Sequence, residues 1–292
     1  MDLDFRTFLK KSPIVLFDGA MGTELEKRGL EMSGTTNLTH PDQVLEIHQE
    51  YMKAGADVLI ANTLTMNRMN LQSHGTYIDI RGVNLAGVRL ARQVIHDGQF
   101  VFGDMSSTGQ LLEPYGDYTE KNFYDNFQEQ AAILVEGGVD GFIIETITDL
   151  REAVCALQAC KDIANVPVIV CLSLSSATNG GRTIMGNTID EIVTILEDHG
   201  ADVIGSNCGE LDPEEMVKIT ALFKEKTSLP IIIQPNAGKP KFINNQTMFE
   251  MKPEEFADGL IQCIENGAHI VGGCCGTSPD HIRAIAQRIK KK

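Results

Sequence analysis

Two adjacent cysteines stand between glycines in Val271-Gly272-Gly273-Cys274-Cys275-Gly276-Thr277, and a third lies upstream in Gly205-Ser206-Asn207-Cys208-Gly209. Three thiolates converging on one point make a zinc site. Successive side chains on an extended strand face opposite ways, so Cys274 and Cys275 reach one ion only where the backbone turns. Glycines at 272, 273 and 276 permit that turn because they lack a Cβ. A structural zinc takes four protein ligands, whereas three leave a position open for substrate, so the set points to catalysis. Burial at a strand end is the plainer reading of a lone cysteine and suits Cys155, Cys160, Cys171 and Cys263. It suits the pair in its glycine frame poorly. A disulfide between neighbours is disfavoured by the Cα separation it requires. Seven cysteines, an odd number in 292 residues, do not read as a disulfide framework. Reduced thiols in a cytoplasmic protein are expected.

Asp18 follows an apolar run in Phe17-Asp18-Gly19-Ala20-Met21-Gly22-Thr23, where it either caps the next segment or faces a site. Glu145 closes another run, Ile143-Ile144-Glu145-Thr146. A charge buried there needs a partner, and the helix that follows has Asp149 for its cap. Two carboxylates at one mouth suit the ammonium of an amino acid, with backbone N–H groups around Gly19 and Ala20 turned to its carboxylate. Asn236, in Gln234-Pro235-Asn236-Ala237-Gly238-Lys239-Pro240, either holds a turn or faces the same mouth. Residues Thr178-Asn179-Gly180-Gly181-Arg182-Thr183 have neither the P-loop spacing nor its Lys-Ser/Thr ending and read as a mobile lid. The seven histidines form no HExxH pattern, His281 falls in the first turn of the last helix, and no catalytic triad is legible.

The elements that must position these residues are short apolar runs separated by helical stretches. Ile14 to Phe17, Val58 to Ala61, Phe100 to Gly103, Phe142 to Ile144, Val168 to Leu174, Val203 to Gly205, Ile231 to Ile233 and Ile270 to Gly272 are expected as eight strands. Their unbroken, often β-branched character suits strands buried on both faces. Between them, Asp149 with Glu152 and Thr188 with Glu191 have the spacing of helix capping boxes. Gly55, Gly138, Gly200 and Gly267 sit where helices end. Eight β/α units predict an α/β protein with a (β/α)8 barrel, one domain over residues 1–292, with a doubly wound open sheet as the alternative. The barrel is preferred because the polar residues fall at strand C-termini: Asp18, Asn62, Asp104, Glu145, Asn207-Cys208, Asn236 and Cys274-Cys275. A barrel gathers those ends at one mouth; an open sheet scatters them.

Composition narrows the partners. Hydrophobic content of 42% and charged content of 22% are ordinary for a globular protein. A net charge of −15 argues against a nucleic-acid partner, since phosphate binding draws on clustered Lys and Arg. Met1-Asp2-Leu3-Asp4-Phe5 lacks the basic and then apolar run of a signal peptide, and no apolar stretch is long enough to span a membrane. Lys290-Lys291-Lys292 reads as a solvated helix end.

Asp-Gly-Ala-Met-Gly-Thr at 18–23, Asn-Cys at 207–208, Pro-Asn-Ala-Gly-Lys-Pro at 235–240 and Gly-Gly-Cys-Cys-Gly-Thr at 272–277 together resemble the homocysteine S-methyltransferase family. The likeness runs over nearly the whole chain. Among the branches of that family, the chain most resembles the homocysteine-binding domain of cobalamin-dependent methionine synthase, through Gly103-Asp104 with Thr108-Gly109 and the stretch from Pro235 to Phe256. The resemblance implies a zinc-dependent (β/α)8 barrel that transfers a methyl group to the thiol of homocysteine, giving methionine. It implies zinc ligands at Cys208, Cys274 and Cys275, acidic residues for the homocysteine amino group at Asp18 and Glu145, and the family's asparagine after the seventh strand at Asn236. The chain departs from the family's Asn-Thr-Phe-Gly at Asn62-Thr63-Leu64-Thr65, from its Ile-Gly-Pro at Met105-Ser106-Ser107, and at Gln234. The resemblance implies that these changes lie where acceptor or donor would be contacted and that they leave the metal chemistry intact.

That chemistry follows from charge. A free thiol with a pKa near ~8.5 is mostly protonated at neutral pH, and zinc coordination removes the proton. Three thiolates bring Zn²⁺ to a formal charge of minus one, so a fourth sulfur stays electron-rich. Because the chain ends about where the zinc barrel ends, a methylcorrinoid (methylcobalamin) on a separate protein is the expected donor. S-methylmethionine or another onium donor is the alternative, and a non-catalytic thiol-binding subunit of a methyltransferase complex is the reading from another class.

Overall fold

The computed structural model describes residues 4–178, 180–243 and 246–289; Asn179 of the expected lid and the terminal lysine run lie outside them. Eight parallel strands form one sheet: β1 (Val15–Leu16), β2 (Val58–Ile60), β3 (Phe100–Met105), β4 (Gly141–Ile147), β5 (Val168–Leu172), β6 (Val203–Asn207), β7 (Ile231–Gln234) and β8 (Ile270–Val271). Each pairs with its sequence neighbours, β8 pairs with β1, and a parallel bridge from Phe17 to Val58 joins β1 to β2. The sheet therefore closes on itself as a (β/α)8 barrel. A helix follows every strand, from Pro41–Ala54 after β1 to Pro279–Ile289 after β8.

The expected strands all form, with ends that shift by a few residues. The largest change is at β4, which runs on to Ile147, and together with β3, which runs on to Met105, it takes Glu145 and Asp104 into the sheet. Helix ends follow local chemistry. Thr188 and Glu191 form the expected capping box, and Gly55 closes its helix at φ 109°, a left-handed conformation that favours glycine. At Asp149 the expectation needs correction. Asp149 caps by accepting from Arg151 N, but Glu152 turns away and accepts from Thr108 N at 2.7 Å and from the Ser107 and Thr108 hydroxyls. Its carboxylate thus pins the loop after β3 to the helix that follows β4.

Side chains alternate along each strand. Phe100 and Phe102 of β3, Ile143 of β4, Ile169 and Cys171 of β5, Val203 of β6 and Ile232 of β7 point inward and pack together with Phe5 from the N-terminal helix Phe5–Lys11. Their neighbours Val101, Phe142, Ile144 and Val170 pack outward against the helices. Two further residues along the inward rows bring Asp104 after Phe102 and Glu145 after Ile143 to the C-terminal end of the barrel. Of the expected lid residues, Arg182 and Thr183 form a short strand that pairs antiparallel with Leu174–Ser176. Among the described residues no helix is long and apolar enough to cross a membrane.

Candidate active site

The three cysteines of the zinc expectation converge. Cys208, Cys274 and Cys275 place their sulfurs within 4.8 Å of one another, and among the described residues they alone form such a metal-competent group. Cys208 Sγ lies 4.0 Å from Cys275 Sγ. Sulfurs on a tetrahedral zinc at Zn–S distances of ~2.3 Å stand about 3.8 Å apart, so the donor set fits that ion.

Local backbone geometry brings them there. The chain leaves β6 at Cys208 with φ 53°, followed by Gly209 at 73°, and Cys208 N donates to Gln234 O at 3.1 Å. After β8 a turn closes by Thr277 N and Thr277 Oγ1 donating to Cys274 O, at 3.1 and 2.7 Å. Gly276 completes this turn at φ 81°, and a Cβ there would stand 2.2 Å from Phe249 Cβ. Cys274 N donates to Pro235 O and Ala237 N donates to Cys275 O, both at 2.9 Å, so the loops after β7 and β8 are strapped together.

Hydrogen bonds from Cys274 and Cys275 hold the Cys208 thiol down at about 3. The same bonding to Cys208 pushes Cys275 up to about 12 and also raises Cys274. The trio shares its protons around one preferred thiolate, and a metal cation would displace them.

Beside the sulfurs opens a cavity of about 200 Å³, lined by the Gly19–Thr23 turn, Asn62, Asp104, Glu145, Cys274 and Cys275, with Met21, Met32, Ile60 and Leu64 as apolar wall. Glu145 accepts from Asn207 Nδ2 at 3.0 Å. Burial pushes its carboxyl up to about 8, with the negative charge of Cys208 adding to the effect. Asp104 is 5% exposed, and its Oδ1 is buried with no hydrogen-bond partner. Burial, then the charges of Glu145 and Asp18, holds it well above the usual carboxylate range.

Asp18 occupies a different place. Phe17 takes the inward slot, and Asp18 accepts from Ile60 N at 3.0 Å, while its neighbour Gly19 lines the cavity. Its Oδ1 is buried without a partner, and burial raises its carboxyl. Ala20 N donates to Thr277 Oγ1 at 3.0 Å, so this N–H is not free for a ligand as expected. Asn236 Nδ2 donates to Gly209 O at 2.8 Å and lies against the Cys208 thiol, beside the sulfurs rather than on the cavity wall. His281, in the last helix, meets Ser278 and Met251 O and takes no part in the site.

Two residues carry more than the sequence reading gave them. Asn207 was legible only as part of a motif. Its buried amide donates to Glu145 and to Thr146 Oγ1 at 2.8 Å, approaches Cys274 Sγ at 3.8 Å, and accepts from Thr146 N at 2.8 Å. It therefore ties the carboxylate to the sulfur group. Thr146 and Cys208 are the described non-glycine residues with positive φ, and this amide stands between them. Asp104 was legible only as a strand end; the signal that places it in the cavity is its two-residue step from Phe102.

The fold and site define a (β/α)8 barrel with a three-cysteine cluster at its mouth. The chain belongs to the homocysteine S-methyltransferase family, whose model matches residues 15–289. It is 31% identical over 299 residues to the methionine synthase of Mycobacterium leprae (strain TN), covering 95% of this chain and 24% of that protein. It is equally 31% identical over 297 residues to the methionine synthase of Mycobacterium tuberculosis (strain ATCC 25618 / H37Rv), covering 94% of this chain and 24% of that one. The chain thus spans about a quarter of the length of these curated relatives. Among solved structures, the metallated homocysteine methyltransferase MmuM from Escherichia coli superposes with a TM-score of 0.80 at 24% identity, over 97% of this chain and 99% of that one. This last likeness supports the barrel.

Proposed function

We propose that this chain acts as one barrel domain that binds zinc through Cys208, Cys274 and Cys275 and methylates the thiol of homocysteine to give methionine. The observation that carries the reading is the opening of a three-sulfur group onto a small cavity whose wall also holds buried carboxylates. Zinc, when bound, would keep an acceptor sulfur ionised and in place as the nucleophile. The chain's own groups do the rest. Glu145, with the Asp18 charge near it, receives the ammonium of the acceptor. Gly19 and the turn after it receive the carboxylate, since the Ala20 N–H is already given to Thr277. Asn207 fixes Glu145 against Cys274, and Asn236 holds the loop that carries Cys208. The apolar wall of Met21, Met32, Ile60 and Leu64 keeps water from the reacting sulfur.

The donor in this reading is a methylcorrinoid carried outside the barrel. The large hydrophobic side chains that stand exposed among the described residues, with Tyr77, Tyr115, Ile184 and Phe242 the most exposed, all belong to segments that follow strand C-termini. Exposed apolar side chains on these segments suit docking of a bulky partner that brings the methyl group. Cytoplasmic placement belongs to the same reading, because the thiols must stay reduced.

The test is methyl transfer to homocysteine by the zinc-loaded chain, with methylcobalamin free or protein-bound, S-methylmethionine, S-adenosylmethionine and betaine offered separately. Methionine formation with spectral change at cobalt is expected. Turnover with S-methylmethionine alone replaces the corrinoid donor by an onium donor. Thiol binding without turnover on any of them leaves a thiol-binding subunit.

A further inference from the structure

The cavity holds more acid than the reaction has so far used. Asp104 and Glu145 both line it, on the adjacent paired strands β3 and β4, and each occupies the inward slot two residues beyond a buried apolar side chain. The Asp104 backbone is clamped: its N–H donates to Thr63 Oγ1 at 3.1 Å, and its carbonyl accepts from Thr63 Oγ1 at 2.8 Å and Gln130 Nε2 at 3.4 Å. Its side chain is thereby aimed into the cavity, while Oδ1 stays without a partner inside the protein.

A buried carboxylate with an unused oxygen is costly, and the cost is offset where a ligand brings a cation with several N–H donors. A bare metal ion is a poor candidate, because the carboxylates do not gather into a group of three metal-competent atoms among the described residues. A primary ammonium fits better: it presents three donors and tolerates wider spacing.

Building on the acceptor reading above, we propose that Asp104 is a substrate-binding residue that shares the ammonium of the amino-acid thiol with Glu145 and selects acceptors that carry an amine. Asp18 gives its Oδ2 to Ile60 N and does not line the cavity, and it adds its charge beside the pair. Asp104 and Glu145 would form one wall of the ammonium pocket, with the sulfurs of Cys274 and Cys275 on the other side, so amine and thiol are recognised together.

The test compares binding of homocysteine, methionine and 4-mercaptobutanoic acid, which lacks the amine, to the zinc-loaded chain and to Asp104→Asn by calorimetry. The variant should lose about tenfold or more in affinity for homocysteine and methionine, the scale of a charge-assisted hydrogen bond. Its affinity for 4-mercaptobutanoic acid should stay within about twofold on the same scale. Zinc content should be unchanged. Asp104→Ala, which removes the unpartnered oxygen altogether, should fold and show the same selective loss. If either folded variant keeps the wild-type preference for the amine, or weakens all three ligands equally, Asp104 has a structural role only. If the wild-type chain itself binds homocysteine no better than 4-mercaptobutanoic acid, the acceptor reading fails independently of Asp104.

Discussion

The floor and the mouth of this barrel are made by the same strands with the same alternation, and they differ in what the inward slots hold. At the floor, Phe5, Phe17, Phe100 and Phe102 pack edge to face, with Phe5 and Phe102 centroids 4.7 Å apart at 70°. Gly141 leaves room for one of these rings, since a Cβ there would stand 2.4 Å from Phe102 Cε1. Two residues further along, the rows hold Asp104 and Glu145, and the strand ends add Asp18, Gln234 and Asn236. Of these, Asp18, Asp104, Gln234 and Asn236 each keep a buried atom without a partner. The inward slots of the floor are filled by packed rings, whereas the mouth carries polar atoms that a ligand could complete. The packed aromatic layer thereby offsets part of the cost of the unpaired polar atoms gathered at the mouth.

The sharpest way to break this comparison is to remove the sulfurs. In the Cys274→Ala, Cys275→Ala double variant, metal analysis should fall from about one zinc per chain to background, and methyl transfer with it. The far-UV circular dichroism should be unchanged, because these cysteines lie in a turn after β8 and outside the apolar floor. Stoichiometric zinc retained by the double variant would place the metal elsewhere.

A smaller effect is expected from the floor. Phe102→Ala removes a fully buried ring from the aromatic cluster and should cost ~3–5 kcal/mol in urea unfolding. The folded fraction should keep its zinc content and its affinity for methionine. If zinc is lost well before the transition, the two ends are mechanically coupled and the division between them is wrong.

How legible the molecule was from its residues follows the same division. The strands and the closed barrel could be read because apolar runs and helix-ending glycines are local signals. The cysteines could be read because Cys-Cys among glycines has few other uses. Harder to read were consequences of parity and of contacts between distant segments. Asp18 and Glu145 look equivalent as acids after apolar runs, yet Phe17 takes the inward slot and sends Asp18 to the Ile60 N–H. Glu152 has the spacing of a capping residue and instead reaches across 44 residues to Thr108. The Thr277 hydroxyl that takes the Ala20 N–H is 257 residues away. No local pattern encodes such pairings. Asp104 is the intermediate case, legible once β3 is known to continue past Phe102.

The mildest perturbation is protonation, and methionine, whose thioether carries no titrating proton, isolates it. Burial holds Glu145 at about 8, and the Cys208 charge adds to this. Three thiolates and a zinc dication would sum to minus one, so a negative neighbour remains when the metal is bound. Because the folded pKa is raised, the unfolded chain releases this proton first. Stability from this group is full below the unfolded value near ~4.3 and declines as pH rises toward about 8. Ligand binding runs the other way. An ammonium favours the ionised carboxylate, so at pH 6 methionine must expel a proton that is already gone at pH 8.5. Affinity should rise across that interval, by at most about tenfold per pH unit for one proton, and level off above about 8. Calorimetry in buffers of different ionisation enthalpy would count the proton directly. In Glu145→Gln the slope should flatten and the affinity should be lower at pH 8.5, with zinc retained. An unchanged slope in that variant would remove Glu145 from the ammonium site and leave Asp104 as the titrating wall.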